Sequence, residues 1–351
     1  MNILKKEERK FNVLGHVVSE FVSTAAPVSS KLVARRMGGK ISSATVRNIM
    51  AELEEQGYIE QPHTSAGRIP THNGYRQYVD AVVDKIRVEK REAERLAKEY
   101  TRRIRTMKEV IERTSYLLSR ELHNAGIVMW PSVEDFYLKH MELVKVRAET
   151  VLAVMVTMTN AVKNYVVRLD RELRKPELER VANFINSNYE SANFSRISED
   201  LRQTLKTRQV GQEEEIVGLA GNALRVIDTI MEDNIENEIC WDGLDYFMEN
   251  REFRDLDVTK RILHIFSERR DLMRLMRREL PYGGLKTYIG EECSSEMLRD
   301  CSLITCGYTL RDRAVGRIGI IGPTRMDYER ALRTVSCLAR VISTKLEEID
   351  S

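Results

Sequence analysis

Apolar residues recur through the first eighty positions at helical spacing, and beyond residue 126 they alternate as in strands. Phe11, Leu14, Val18 and Phe21 stand three or four apart, which predicts a helix from about Glu7 to Val22 with one buried stripe. Ser29-Ser30 offers an N-cap for a short second helix running through Leu32 and Val33 to Arg36, and Gly38-Gly39 breaks it. In ISSATVRNIMAELEEQGYIEQP, residues 41–62, Ser42 or Ser43 caps a third helix. Val46, Ile49, Met50 and Leu53 form its inward stripe and Gly57 ends it. Helix, turn and capped helix make a helix-turn-helix plan. Tyr58 to Gln61 then alternates as a strand, and PHTSAGRIPTHNGYRQYV (62–79), with two Pro, two Gly and small hydroxyl residues, predicts a β-ribbon, or wing.

Further along, Ala93, Ala97, Tyr100, Ile104, Met107, Ile111 and Leu118 trace an approximate heptad, which predicts one long helix from about Val82 to His123. Strand patterns follow at Tyr137–Val146, Thr150–Met158 and Lys163–Leu169, with a helix from about Pro176 to Tyr189. Residues 193–256, with GQEEEI and MEDNIENEI, are acidic and helical in flavour. Strand patterns resume at Leu285–Ile289, Leu303–Leu310 and Ala314–Ile321, and Tyr328–Ile349 closes the chain as an amphipathic helix. The reading is one antiparallel sheet domain interrupted by an inserted helical subdomain.

Composition narrows the class. At 351 residues the chain is too long for one ordinary core. Charged residues make up 31%, above the usual ~25%, which suits a globular protein rich in helix surface. MNILKKEERK is too charged for a signal peptide and Thr150–Met158 is too short to cross a bilayer, so a cytoplasmic location and no membrane association are expected. The five cysteines are scattered without a C-x-x-C pair, and the six histidines fall in no metal-ligand spacing. No G-x-S-x-G, P-loop or H-E-x-x-H occurs, so the expectation is a non-enzyme with no metal and no cofactor.

Net charge is only +2, but its distribution is uneven. No acid lies between Phe21 and Ala51, where Lys31, Arg35, Arg36, Lys40 and Arg47 supply five positive charges, a local electropositive face. Off the buried stripe, Ser42, Ser43, Thr45, Arg47 and Asn48 occupy the first turns of the third helix, where a recognition helix meets base edges in the major groove. Arg pairs with guanine and Asn with adenine, while hydroxyls and N-terminal amides suit phosphate oxygens. Lys31 and Lys40 add phosphate contacts, and Arg68 at the ribbon tip, beside His63, Thr64 and Ser65, is placed for a minor groove or a phosphate. A capped surface helix with an ordinary polar face is the alternative. The eleven Lys/Arg against six Glu over Lys85–Arg113 read more simply as a solvated connector than as a second phosphate contact.

SSATVRNIMAELEEQGYIEQPHTSAGRIPTHNGYRQYV (42–79) resembles the winged-helix signature of the heat-inducible transcription repressor family HrcA, and GRIGIIGPTRMDYERALRTV (316–335) resembles that family's C-terminal signature. Ile49 departs from the acidic residue usual after the Arg-Asn pair, and it extends the apolar stripe. The resemblance implies an α+β protein: a winged helix-turn-helix DNA-binding domain over residues 1–81, a helical connector over 82–123, and a GAF-like α/β domain over 124–192 and 257–351. An inserted dimerisation subdomain, 193–256, would interrupt that domain. It further implies repression of chaperone operons through an inverted repeat, CIRCE, with the GroE chaperonin assisting the active repressor. A winged helix covers half a site, so an inverted repeat needs a homodimer. Trp241, Tyr246, Phe247 and Met248 are readable as interface anchors or, equally, as core. The alternative function is a winged-helix regulator of other genes that responds to a small ligand in its GAF-like domain.

Overall fold

The computed structural model describes residues 2–63, 66–83, 85–86, 90–100, 104, 106–130, 137–158, 162–206, 214–233, 239–253, 255–268, 272–273, 276, 284–293, 295–310 and 313–350. The chain divides into two compact units, residues 1–128 with 240–349, and residues 129–239.

The first unit opens with helices α1 (Asn2–Thr24), α2 (Ser30–Arg36) and α3 (Ser43–Glu55), then a ribbon of β1 (Ile59–Glu60) and β2 (Ile69–Pro70), then α4 (His72–Val83). Val13, Leu14, Val17 and Val18 of α1, Val33 of α2 and Val46, Ile49, Met50 and Leu53 of α3 are buried together with Tyr75 and Val79 of α4. The stripe expected for α3 is buried as a whole, whereas of the one expected for α1 only Leu14 and Val18 are buried, Phe11 and Phe21 are half-buried, and Val13 and Val17 complete the core face. Ser29 caps α2 by accepting from the Leu32 amide, and Ser42 caps α3 by accepting from the Thr45 amide at 3.1 Å. Gly57 follows α3 with φ +74°, the left-handed conformation that favours glycine.

The connector is not one helix. It folds as α5 (Lys90–Lys98) and α6 (Met107–Leu122), laid against each other. Arg113 donates to the Glu99 carboxylate at 2.8 Å, Arg95 to Glu121 at 2.9 Å, and the Tyr100 and Thr114 hydroxyls are 2.6 Å apart in the interior. A spacing of about 3.5 residues suits either one long helix or two packed helices. The deciding local signal is Thr106-x-x-Glu109, a capping box that starts α6 afresh.

Strands β3 (Ala125–Met129), β7 (Ile239–Asp242), β8 (Leu285–Ile289), β9 (Cys301–Leu310) and β10 (Arg313–Pro323) form a five-stranded sheet in the order β7-β3-β10-β9-β8. Between β7 and β8 lie α10 (Leu244–Glu249) and α11 (Leu256–Ser267), and the closing helix α12 (Tyr328–Asp350) buries Leu332, Val335, Leu338 and Ile342. Ser343 of α12 accepts from the Thr309 amide of β9 at 2.9 Å, and the Tyr328 and Ser302 hydroxyls are 2.7 Å apart.

The second unit is a three-stranded antiparallel sheet of β4 (Leu138–Lys145), β5 (Thr150–Thr157) and β6 (Val162–Arg168), covered by α7 (Lys175–Tyr189), α8 (Phe194–Lys206) and α9 (Glu214–Asp233). Met141, Ala153, Met155, Tyr165 and Val167 point into one core with Leu178, Ile185, Phe194, Ile197, Val226 and Ile227. Asn186 of α7 clamps β4 by accepting from the Met141 amide and donating to its carbonyl, at 2.8 and 2.9 Å. The division expected from sequence, 124–192 in the interrupted sheet domain and 193–256 inserted, is thus displaced: β4–β6 pair among themselves, and β7, expected inside the insertion, joins the five-stranded sheet. Alternation fixes that a segment is a strand and leaves its partner to long-range pairing.

Candidate nucleic-acid interface

The capped end of α3 is open to solvent. Ser42, Thr45, Arg47 and Asn48 are exposed and Ser43 is half-buried, while Val46, Ile49 and Met50 on the same turns are buried. The Ser42 hydroxyl lies 2.9 Å from that of Thr45, so these two are a joined pair at the helix start. Lys31, Lys40 and Arg47 are exposed, and among the described residues none of the three has an ion-pair partner. Arg36 is held by Glu20 of α1. A helix whose positive dipole end carries hydroxyls, Arg and Asn has the donors that phosphate oxygens and base edges require.

The acids at the far end of α3 are engaged. Glu52 pairs with Lys10 of α1 at 3.0 Å, and this hydrogen bond raises the Lys10 ammonium pKa above its ordinary value. Glu54 takes the Arg68 guanidinium. Arg68 therefore does not stand at the ribbon tip. Its backbone forms a single antiparallel bridge with Val28, each amide donating to the other's carbonyl at 2.9 Å, which ties the start of β2 to the segment between α1 and α2. His63 is exposed, and Thr64 and Ser65 lie outside the described residues.

A joint missed in the sequence fixes this head on the five-stranded sheet. Arg76 of α4 donates from Nε to Glu292 at 2.9 Å and from a terminal nitrogen to the Thr287 carbonyl at 2.7 Å. Burial opposes the Glu292 carboxylate charge, but the Arg76 and Ile289 hydrogen bonds outweigh it and hold its pKa below the ordinary value. The Tyr75 ring packs on Tyr328 with centroids 5.5 Å apart. Arg325, between β10 and α12, donates to the Val22 carbonyl at 2.6 Å and pairs with Glu252.

The aromatic residues read as interface anchors or core have partners within the first unit. Trp241 is half-buried against Phe266, centroids 6.1 Å apart, and Tyr246 meets the His123 ring edge-on at 5.1 Å. The side chain of Phe247 lies outside the described residues. A cavity of about 380 Å³ beside α5 and α12 is lined by charges of both signs, in which Arg95 bridges Glu92 and Glu121, and Arg333 pairs with Glu329. Among the described residues no group of three or more His, Cys, Asp or Glu converges as metal ligands, and no helix is long and apolar enough to cross a membrane.

Comparison with known proteins bears on the whole chain. The family model for the HrcA protein C terminal domain matches residues 108–332. The chain is 33% identical over 350 residues to the heat-inducible transcription repressor HrcA of Syntrophobacter fumaroxidans, covering 99% of each. It is 33% identical over 342 residues to that of Brevibacillus brevis, covering 97% of each. A crystal structure of a hypothetical protein superposes with a TM-score of 0.61 at 20% identity, covering 97% of this chain and 98% of the other, which establishes likeness of fold. With the model spanning more than half of the chain and relatives matching it end to end, the chain belongs to the HrcA family of heat-inducible transcription repressors.

Proposed function

We propose that this protein represses chaperone operons by binding an inverted-repeat operator, CIRCE, as a cytoplasmic homodimer, and that the GroE chaperonin promotes its active form. The observation that carries the DNA-binding part is the solvent-open start of α3, where Thr45, Arg47 and Asn48 stand off a fully buried stripe. Residues 1–81 act as a winged helix with α3 in the major groove: Arg47 and Asn48 read base edges, while Ser42, Ser43, Thr45, Lys31, Lys40, His63, Thr64 and Ser65 meet the backbone. The five-stranded sheet with α12 is the GAF-like body.

One such head covers half a site, so a second copy is required, and the second unit offers a surface for it. On the sheet face turned away from its core, Val144, Leu152 and Val166 stand in one row across the three strands. Val144 is 42% and Val166 60% exposed, and Val162 beside them is 61% exposed. A row of apolar side chains left in water on a flat antiparallel face suits a two-fold partner of the same shape. This face, rather than Trp241 and Tyr246, is the dimer surface.

The test is fluorescence anisotropy of the full chain on a labelled CIRCE duplex and on a scrambled duplex at fixed salt, with and without chaperonin. Preference for CIRCE that strengthens with chaperonin is the expected result. Equal weak binding of folded dimer to both duplexes contradicts the operator assignment, and preference that chaperonin leaves unchanged contradicts the chaperonin link.

A further inference from the structure

The Glu54–Arg68 pair joins the recognition helix to the ribbon, two elements whose relative angle decides whether both reach one duplex. Arg68 donates from Nε at 2.9 Å and from a terminal nitrogen at 2.8 Å to the same Glu54 oxygen. Both side chains are largely covered, 23% and 33% exposed, so the pair is screened less than a free surface pair. The rest of the ribbon base is tied to the same region. Thr71 donates its hydroxyl to the Gly57 carbonyl at 2.6 Å, and a Cβ on Gly74 would lie 1.9 Å from the Tyr58 carbonyl oxygen, so the chain passes there too closely for any side chain. The tip is closed by Gln61, whose amide donates to the Ala66 carbonyl at 3.0 Å.

Glu52 and Glu54 are two residues apart, so they project about 200° from each other around α3. Lys10 holds Glu52 from α1 while Arg68 holds Glu54 from the ribbon. The C-terminal half of α3 is thus braced from nearly opposite sides by two ion pairs, and the N-terminal half, with Arg47 and Asn48, is left free of them. Swinging Arg68 out to a phosphate would also uncover the Glu54 carboxylate beside a polyanion, so the gain of one contact would be offset by a like-charge approach.

We propose that Glu54 and Arg68 are positioning residues: they set the angle of the ribbon against the recognition helix, and Arg68 acts through Glu54 without touching DNA. This rests on the DNA-binding reading above and deepens it, replacing the expectation that Arg68 grips a phosphate.

The experiment compares the full chain with Arg68→Ala, Glu54→Gln and the charge-swapped double variant Glu54→Arg/Arg68→Glu. Affinity is measured on the inverted-repeat duplex and on a random duplex across a salt series, and amide hydrogen exchange is measured at Val28 and Arg68 without DNA. A positioning pair predicts that each single variant loses roughly fivefold on the inverted repeat, the order of one partly screened ion pair, with an unchanged salt slope and little change on random DNA. It predicts faster exchange at both amides in each single variant, and recovery of affinity and protection in the charge-swapped variant. A phosphate contact predicts the reverse: Arg68→Ala weakens both duplexes and shallows the slope by about one unit, Glu54→Gln strengthens both, and the swap binds worst of all. That pattern, or unchanged amide protection in both single variants, overturns the proposal. Because exchange is read without DNA, the pair is tested even if the unaltered chain fails to distinguish the two duplexes, a result that would overturn the function and not the clamp.

Discussion

The start of α3 and the outer face of the three-stranded sheet are both left open to solvent, and they differ in almost every other respect. On α3 the open side chains include hydroxyls, Arg47 and Asn48, arranged around a helix end whose stripe of Val46, Ile49 and Met50 is buried. On the sheet the open side chains are Val144 and Val166, in register with the half-buried Leu152 of the central strand, and Val162, in register with the half-buried Val156. Polar donors at a positive helix end suit a polyanion, and a flat valine-rich face suits another protein surface. Exposure alone does not assign a role; the chemistry of what is exposed does.

The largest effect is expected on the sheet face. Val166→Arg puts an unpartnered charge into the proposed dimer contact, so dimerisation measured by analytical ultracentrifugation should weaken by ~2–4 kcal/mol while the monomer's melting temperature hardly moves. An unchanged dimer would transfer the interface elsewhere. Next is Arg47→Ala, expected to cost ~1–3 kcal/mol on the operator and to relax specificity at one base pair; equal loss on random duplexes would make Arg47 a phosphate contact.

These two faces were unequally legible in the sequence. The α3 face was read residue by residue, because capping, helical period and a C′ glycine are local signals: Ser42, the stripe Val46-Ile49-Met50-Leu53 and Gly57 all stand where those signals put them. Strands β4–β6 were also found, but which sheet they join depends on pairing between distant segments, and so the unit's boundaries were misplaced. Arg68 was misread for a similar reason. A lone Arg among small residues reads as a free ribbon tip, and nothing within the ribbon itself announces Glu54, fourteen positions earlier, as its partner. Arg325 and Glu252, or Arg76 and Glu292, are further apart still, which is why the joint between the head and the five-stranded sheet left no trace in the pattern.

Two smaller effects sharpen the contrast. Ser42→Ala removes the α3 cap and should cost about 1 kcal/mol of stability by chemical denaturation, with a matching loss on the operator if, as proposed, the residue that starts the helix also meets the duplex. A stability loss with unaltered DNA binding would separate the two roles. Glu292→Gln is expected to have the smallest effect. A carboxylate whose pKa is held below its unfolded value stabilises the fold above that value and loses the contribution as pH falls through the depressed one. The variant should therefore be less stable by no more than ~1 kcal/mol at neutral pH, and the difference should shrink as pH falls below the ordinary carboxylate range and vanish once the depressed pKa is passed. Equal stability of the two at neutral pH would show that the Arg76 pair contributes nothing to the joint.

The most direct test of the central claim, that two copies joined through the sheet face present two α3 helices to one operator, is a titration of three duplexes at one fixed physiological salt concentration. The duplexes carry both half-sites, one half-site, or neither. The expected result is two protomers on the complete repeat, bound much more tightly than on the single half-site, with the half-site still above the scrambled duplex. Indistinguishable affinities for the complete repeat and the single half-site would contradict paired recognition, and indistinguishable affinities for all three would contradict base reading by α3.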